Sequence, residues 1–160
     1  MGPLNNEPTA AKMDQHVADA LARGAEAVLG GSRAEGFPTR LYYEATVLDG
    51  VTEETEVARE ETFGPIVPIS TIRSDQEALE IANSSGYGLL TAVWTRDLAR
   101  GLRFAEAVRA GWVNVNESTN YWESHLPFGG RAGTRSGIGR VGGRYPLETF
   151  TEPKTVVLTL

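Results

Sequence analysis

Between residues 64 and 116 the chain repeats one pattern: a short apolar run, a helix-length amphipathic stretch, and a link of a few residues. "GPIVPISTI" (64–72) reads as a strand. Pro65 and Pro68 suit strand ends or a sheet edge, because proline donates no ladder hydrogen bond. Ser74 and Glu77 form an S-x-x-E capping box that opens a helix running through Asn83. "YGLLTAVWT" (87–95) is nearly continuous in apolar residues, as strands covered on both faces are. Asp97 is placed to cap a second helix, with Leu98, Leu102, Ala105 and Val108 along one stripe. "GWVNVN" (111–116) is then a third strand. Strand–helix–strand–helix–strand with such short links requires parallel strands and right-handed crossovers. The expected fold class is therefore α/β, built on a parallel sheet.

The flanks are less regular. Helical periodicity runs over 8–23, with Ala10, Met13, Val17 and Leu21 on one face and Gly24 as the stop. "AEAVLGG" is a short strand ending in a glycine turn. "RLYYEATVLDGV" (40–51) is rich in aromatic and β-branched residues and predicts another strand, with 41–48 a candidate fourth member of the sheet. "TEETEVARE" (52–60) predicts a short polar turn of helix. Residues 117–144 break the rhythm, holding seven of the chain's 18 glycines and the aromatic residues Tyr121, Trp122 and Phe128. A long irregular segment after a parallel strand is where binding and chemistry commonly sit. The closing "EPKTVVLTL" reads as a strand that needs a sheet to join.

Composition narrows the function. A net charge of −6 and a pI near 5.0 argue against nucleic acid or an anionic membrane as partner. No stretch reaches the roughly 20 apolar residues of a membrane helix. "MGPLNNEPTAAK" lacks the basic and apolar regions of a secretory signal, and Asn6 stands where myristoylation expects Ser or Thr. These features predict a cytoplasmic location. With no cysteine, the chain offers neither a disulfide nor a thiolate nucleophile or metal ligand. His16 and His125 are far apart and lack partners at metal-ligand spacing, so no metal is expected.

"REETFGPIVPI" (59–69) sets two adjacent carboxylates, Glu60 and Glu61, before Phe63-Gly64-Pro65 at the mouth of a strand. From the residues alone, a solvated acidic pair is the more economical reading. Four stretches change that balance. "EETFGPIVPI", "NSSGYGLLTAVWTRDLARGLRFAEAVRAGWVNVN", "LPFGGRAGTRSGIGRVGG" and "LETFTEPKTVVL" together resemble the C-terminal part of the NAD(P)-dependent aldehyde dehydrogenase superfamily, in the family's order.

The resemblance implies a reaction and a set of roles. In that family a cysteine thiolate attacks the aldehyde to give a thiohemiacetal, hydride passes to the nicotinamide, and water hydrolyses the resulting thioester to the acid. Glu61 matches the glutamate that accepts hydrogen bonds from the ribose next to nicotinamide, as acidic residues do in other dinucleotide sites. Phe63 matches the aromatic residue packed near that ribose, and Gly64-Pro65 would fix the turn presenting both. Glu60 is expected to be structural. Phe128 in "PFGG" matches the aromatic lining of the aldehyde tunnel. Tyr121 and Trp122 lie in the loop that shapes substrate entry; they either wall an apolar or aromatic pocket or pack beneath the loop. Asn114 and Asn116 resemble the family's "VNVN" strand end and are expected to be hydrogen-bonding scaffold. Gly129, Gly130, Gly137 and Gly139 are expected to permit turns or close approach. They do not make the G-x-G-x-x-G fingerprint of a phosphate loop. Where relatives often run "PFGG-x-K-x-SG", this chain reads "PFGGRAGTRSGIGR", longer and without the lysine.

The family's catalytic cysteine, general-base glutamate, oxyanion asparagine and dinucleotide-binding domain have no counterpart here. The chain thus reads as a fragment, residues 1–152 from the catalytic domain and 153–160 a terminal strand, inactive alone toward aldehydes with NAD or NADP. Lys154–Leu160 would pair with a second copy or a full-length relative, or else be disordered. The alternative is a non-catalytic oligomerisation module acting through that strand. A hydrolase using Glu60/Glu61 or Glu53/Glu56 is disfavoured, since adjacent residues of an extended segment point to opposite faces.

Overall fold

A computed structural model describes residues 1–159, which divide into two compact units, one of residues 1–74 and one from Asp75 onward. In the first unit, α1 (Glu7–Ala22) begins where the Asn6 side chain accepts from Thr9 N–H at 2.9 Å. It ends in a Schellman turn. Gly24, at φ +94°, donates to Leu21 O, and Ala25 donates to Ala20 O. Ala10, Met13, His16, Val17 and Ala20 form its buried face. Leu21, expected on that face, is 45% exposed: the 10-13-17-20 spacing turns the stripe past it.

β1 (Glu26–Leu29) runs antiparallel to β2 (Thr46–Asp49), with an irregularity between Ala27 and Leu29. β2 is followed by the single helical turn α2 (Glu56–Arg59) and then by β3 (Ile66–Pro68), parallel to β2. The order β1-β2-β3 puts β3 at an edge, where Pro68 belongs. Val17, Ala20, Ala25, Leu48, Val51 and Val57 form one core, with Ala27, Ala58 and Ile66 packed against it.

In the second unit, α3 (Asp75–Ser84) precedes β4 (Leu90–Val93), α4 (Leu98–Ala107) and β5 (Trp112–Val115). The two strands pair in parallel from Leu90↔Trp112 to Val93↔Val115. Asp97 caps α4 as expected, its side chain accepting from Arg100 N–H at 3.1 Å. Arg100 in turn pairs with Asp75 of α3. α4 lies close on the strands at Gly101, where an added Cβ would meet Val115 Cγ1 at 2.9 Å.

Three expectations need correction. The strands near 64–72, 87–95 and 111–116 do not form one parallel sheet: the first joins β2 in a mixed sheet, and only the latter two pair with each other. Alternation of strands and helices carries no information about which strand a short edge element will join. The strand predicted at 40–51 is a ladder only over Thr46–Asp49, with an isolated bridge between Tyr43 and Arg33. Of the α4 stripe, Val108 is buried but Leu98 and Leu102 are 65% and 50% exposed.

α5 (Tyr145–Phe150), which the periodicity did not announce, starts with a proline in its first turn. Residues 151–159 form no ladder, and they are exposed. The Leu160 end of the expected terminal strand lies outside the described residues. No helix among the described residues is long and apolar enough to cross a membrane.

Candidate functional site

The loop between α2 and β3 carries Glu61 and Phe63, and helix α1 lies under it. Its exposure alternates: Glu61 out, Thr62 in, Phe63 out. Thr62 is 9% exposed, and its Oγ1 lies 3.0 Å from Nδ1 of His16, which is 1% exposed. Lys12 Nζ donates to the Glu61 carbonyl, leaving the Glu61 carboxylate in solvent. Gly64 sits on Met13, so closely that a Cβ there would collide with the thioether sulfur. Beyond it, Pro65 O accepts from Thr46 N–H at 2.8 Å, tying the loop to the sheet.

Phe63 has φ +55°, a backbone region costly for a bulky side chain, and its ring is 75% exposed. A residue held in that conformation with nothing packed over its ring is not there to fill a core. Burial lowers the pKa of His16, and the neighbouring Lys12 ammonium pushes the same way; Glu56, Glu60 and Asp19 oppose them. The imidazole is therefore biased toward its neutral form.

In the second unit β5 alternates cleanly. Val115 faces α4, while Trp112 and Asn114 share the opposite face. Asn114, 7% exposed, accepts from Trp112 Nε1 at 2.6 Å and donates to the carbonyls of Ser118 at 2.7 Å and Tyr121 at 3.1 Å. One amide thus holds the start of the loop onto the strand. Asn116, at φ +60°, accepts from Thr95 N–H at 2.7 Å and closes the strand end. Both asparagines make hydrogen bonds that tie backbone segments to the strand end.

Phe128 is fixed by paired 2.8 Å hydrogen bonds between its backbone and that of Val141. Its ring meets Trp112 at 5.9 Å and Trp122 at 6.0 Å between centroids, both tilted. Trp122 remains 55% exposed and Tyr121 45%, so neither is packed away beneath the loop. Tyr121 Oη donates to Glu123 Oε1 at 2.6 Å, and that carboxylate raises the pKa of the phenol. The result is an apolar wall with a polar phenol at its margin.

The predicted residues thus form two groups, Glu61 with Phe63 in the first unit and Tyr121, Trp122 and Phe128 in the second. Sequence reasoning missed Lys12, Met13, His16 and Thr62, which set the first group, and Trp112, which completes the second. Trp112 was detectable as sharing a strand face with Asn114. His16 and Thr62 are 46 positions apart and gave no local signal. Arg140 donates to Gly130 O at 2.6 Å and Gly139 O at 2.7 Å, and Arg135 lies over the Tyr87 ring at 4.8 Å. These contacts brace the glycine-rich segment.

The chain is 40% identical over 158 residues to the 3-sulfolactaldehyde dehydrogenase of Pseudomonas putida, covering 98% of this chain and 31% of that protein. It is 39% identical to the benzaldehyde dehydrogenase [NAD(+)] of Pseudomonas putida, again over 98% of this chain and 31% of the relative. Among solved structures, a Mycobacterium tuberculosis aldehyde dehydrogenase complexed with NAD+ superposes with a TM-score of 0.90 at 34% identity, over 99% of this chain and 32% of that one. The chain therefore spans about a third of the length of the relatives it matches. The model of the aldehyde dehydrogenase family matches residues 1–156, and the chain belongs to that family.

Proposed function

We propose that this chain is the C-terminal portion of the catalytic domain of an NAD(P)-dependent aldehyde dehydrogenase, contributing the nicotinamide-ribose edge and one wall of the aldehyde pocket. The observation that carries the reading is the 61–63 loop. Its carboxylate and its aromatic ring are both turned to solvent by a backbone held from beneath. Glu61 offers two acceptor oxygens to vicinal ribose hydroxyls, and the Phe63 ring offers a flat apolar surface beside them. The cofactor, NAD or NADP, supplies the hydride acceptor when bound. Phe128 and Trp122, backed by Trp112, give an aldehyde an apolar surface and exclude water from it. No thiol is available in this chain to attack the carbonyl, so alone it has no route to the covalent intermediate of the family.

The test is reconstitution. The chain alone, given aldehyde and NAD or NADP, should form no reduced cofactor. Combined with the cysteine-bearing remainder of a relative such as the Pseudomonas putida 3-sulfolactaldehyde dehydrogenase, it should support turnover. Glu61→Gln should then raise the dinucleotide KM roughly tenfold, the weight of a charged hydrogen bond. Aldehyde oxidation by the chain alone, or turnover indifferent to Glu61→Gln, would overturn the reading.

The exposed run Val156-Val157-Leu158 favours a second, compatible reading, in which Lys154–Leu160 adds as a strand to a sheet of another subunit. A monomer at all concentrations, with or without a full-length relative, would exclude it.

A further inference from the structure

We propose that His16 is a positioning residue for the loop carrying Glu61 and Phe63, holding that loop in register through Thr62. Three side chains within little more than one turn of α1, at 12, 13 and 16, each meet a different residue of the loop, His16 standing i+4 from Lys12 and i+3 from Met13. Lys12 holds the carbonyl of Glu61, His16 meets the hydroxyl of Thr62, and Met13 fills the space under Gly64. Phe63, the residue they leave untouched, bears the left-handed backbone and the exposed ring. Thr62 is the hinge of this arrangement. Anchored inward, it turns both neighbours outward; released, it would let the loop rotate and carry the Glu61 carboxylate and Phe63 ring out of place.

Of the three contacts, only the one at His16 involves a group that titrates near neutral pH. A neutral imidazole presents one donor and one acceptor, so it pairs with a hydroxyl in either sense. A protonated one has donors alone, in a buried site beside the Lys12 ammonium. The groups facing it are Lys12 and Asp19 from α1, Glu56 from α2, and Glu60 at the start of the loop. Burial and Lys12 prevail over the three carboxylates, so the folded form binds the proton less readily than the unfolded chain. The neutral ring is therefore fully favoured above the ordinary histidine value of 6.5, and as pH falls below it the charge placed in this buried site beside Lys12 loosens the packing of His16 against Thr62. What the loop serves rests on the cofactor reading above; how it is held does not.

The experiment follows the backbone amides of Glu61, Thr62 and Phe63 and the His16 ring by NMR in the whole chain, without nucleotide, from about pH 8 to about pH 5. The loop amides should titrate with the midpoint of His16, below 6.5. In Thr62→Val the His16 ring should still titrate while the loop response falls severalfold; Thr62→Ser, which keeps the hydroxyl and fills the site gently, should restore it. Loop amides that stay fixed while His16 titrates, or that move equally in Thr62→Val, would overturn the proposal. In the reconstituted enzyme Thr62→Val should raise the dinucleotide KM severalfold and leave the aldehyde KM unchanged. If the amides follow His16 but that KM is constant, the positioning role stands and the cofactor reading fails.

Discussion

The two units reach order by different means. Among the described residues, nine of the ten buried apolar side chains belong to residues 1–74, and only Val108 lies beyond them. The first unit is a small α/β layer closed by its own core, and its 61–64 loop rests on two further buried side chains of α1, Met13 and His16. In the second unit the buried positions are largely glycines, among them Gly88, Gly101 and Gly130. Order there comes from close backbone approach: Gly88 O accepts from both Gly111 N–H and Arg131 N–H, each at 2.9 Å. Meanwhile Trp94, Leu98, Ile138 and Phe150 are 65% or more exposed. A core of side chains tolerates adjustment, whereas a backbone contact through glycine tolerates none. The loop that presents a carboxylate thus has a soft, deep foundation, and the aromatic wall has a thin, rigid one.

The comparison breaks most readily in the first unit. Leu48 is fully buried at the centre of its core, and Leu48→Ala should cost about 2–5 kcal/mol. All three tryptophans lie in the second unit, so their fluorescence reports on that unit alone. Urea unfolding should show an early far-UV circular dichroism transition in this variant and an unmoved fluorescence transition. If both shift together, the units unfold as one and their separate foundations have no energetic meaning. Gly111→Ala is the counterpart. A Cβ at 111 would drive into Gly129 O, with no flexible side chain to give way, at an expected cost of about 1–3 kcal/mol. Here the fluorescence transition should move and the amides of α1 should not.

What the sequence made legible follows the same division. Elements set by local signals were readable: the Gly24 stop of α1, the Asp97 cap of α4, the apolar run that became β4. Pairing was not, because nothing local tells β3 to join β2 rather than β4. Burial was misjudged at Leu98 and Leu102, where periodicity marks an apolar face without saying that anything in this chain covers it. For the candidate site, Glu61 and Phe63 were singled out by resemblance alone, since adjacent carboxylates before a strand carry no chemistry of their own. The residues that hold the loop were invisible, because their contacts join α1 to a segment more than forty positions away.

The smallest effect sharpens the comparison most. Asn114 is the one polar side chain that the second unit buries among the described residues, and its amide makes three hydrogen bonds. In Asn114→Ala the carbonyls of Ser118 and Tyr121 lie in an exposed loop, where water can replace the lost donor. The Trp112 indole N–H is half-buried and loses its partner. The net cost should be about 1 kcal/mol, less than either preceding substitution. The greater consequence is geometric. Without Asn114 nothing fixes the indole edge, so Trp112 can turn on β5 and leave the Phe128 ring. The emission of the variant should shift to the red at unchanged circular dichroism, and the aldehyde KM of the reconstituted enzyme should rise while the dinucleotide KM holds. If the emission is unchanged, the wall is held by ring packing rather than by the asparagine, and the second unit has more of a side-chain foundation than its burial pattern indicates.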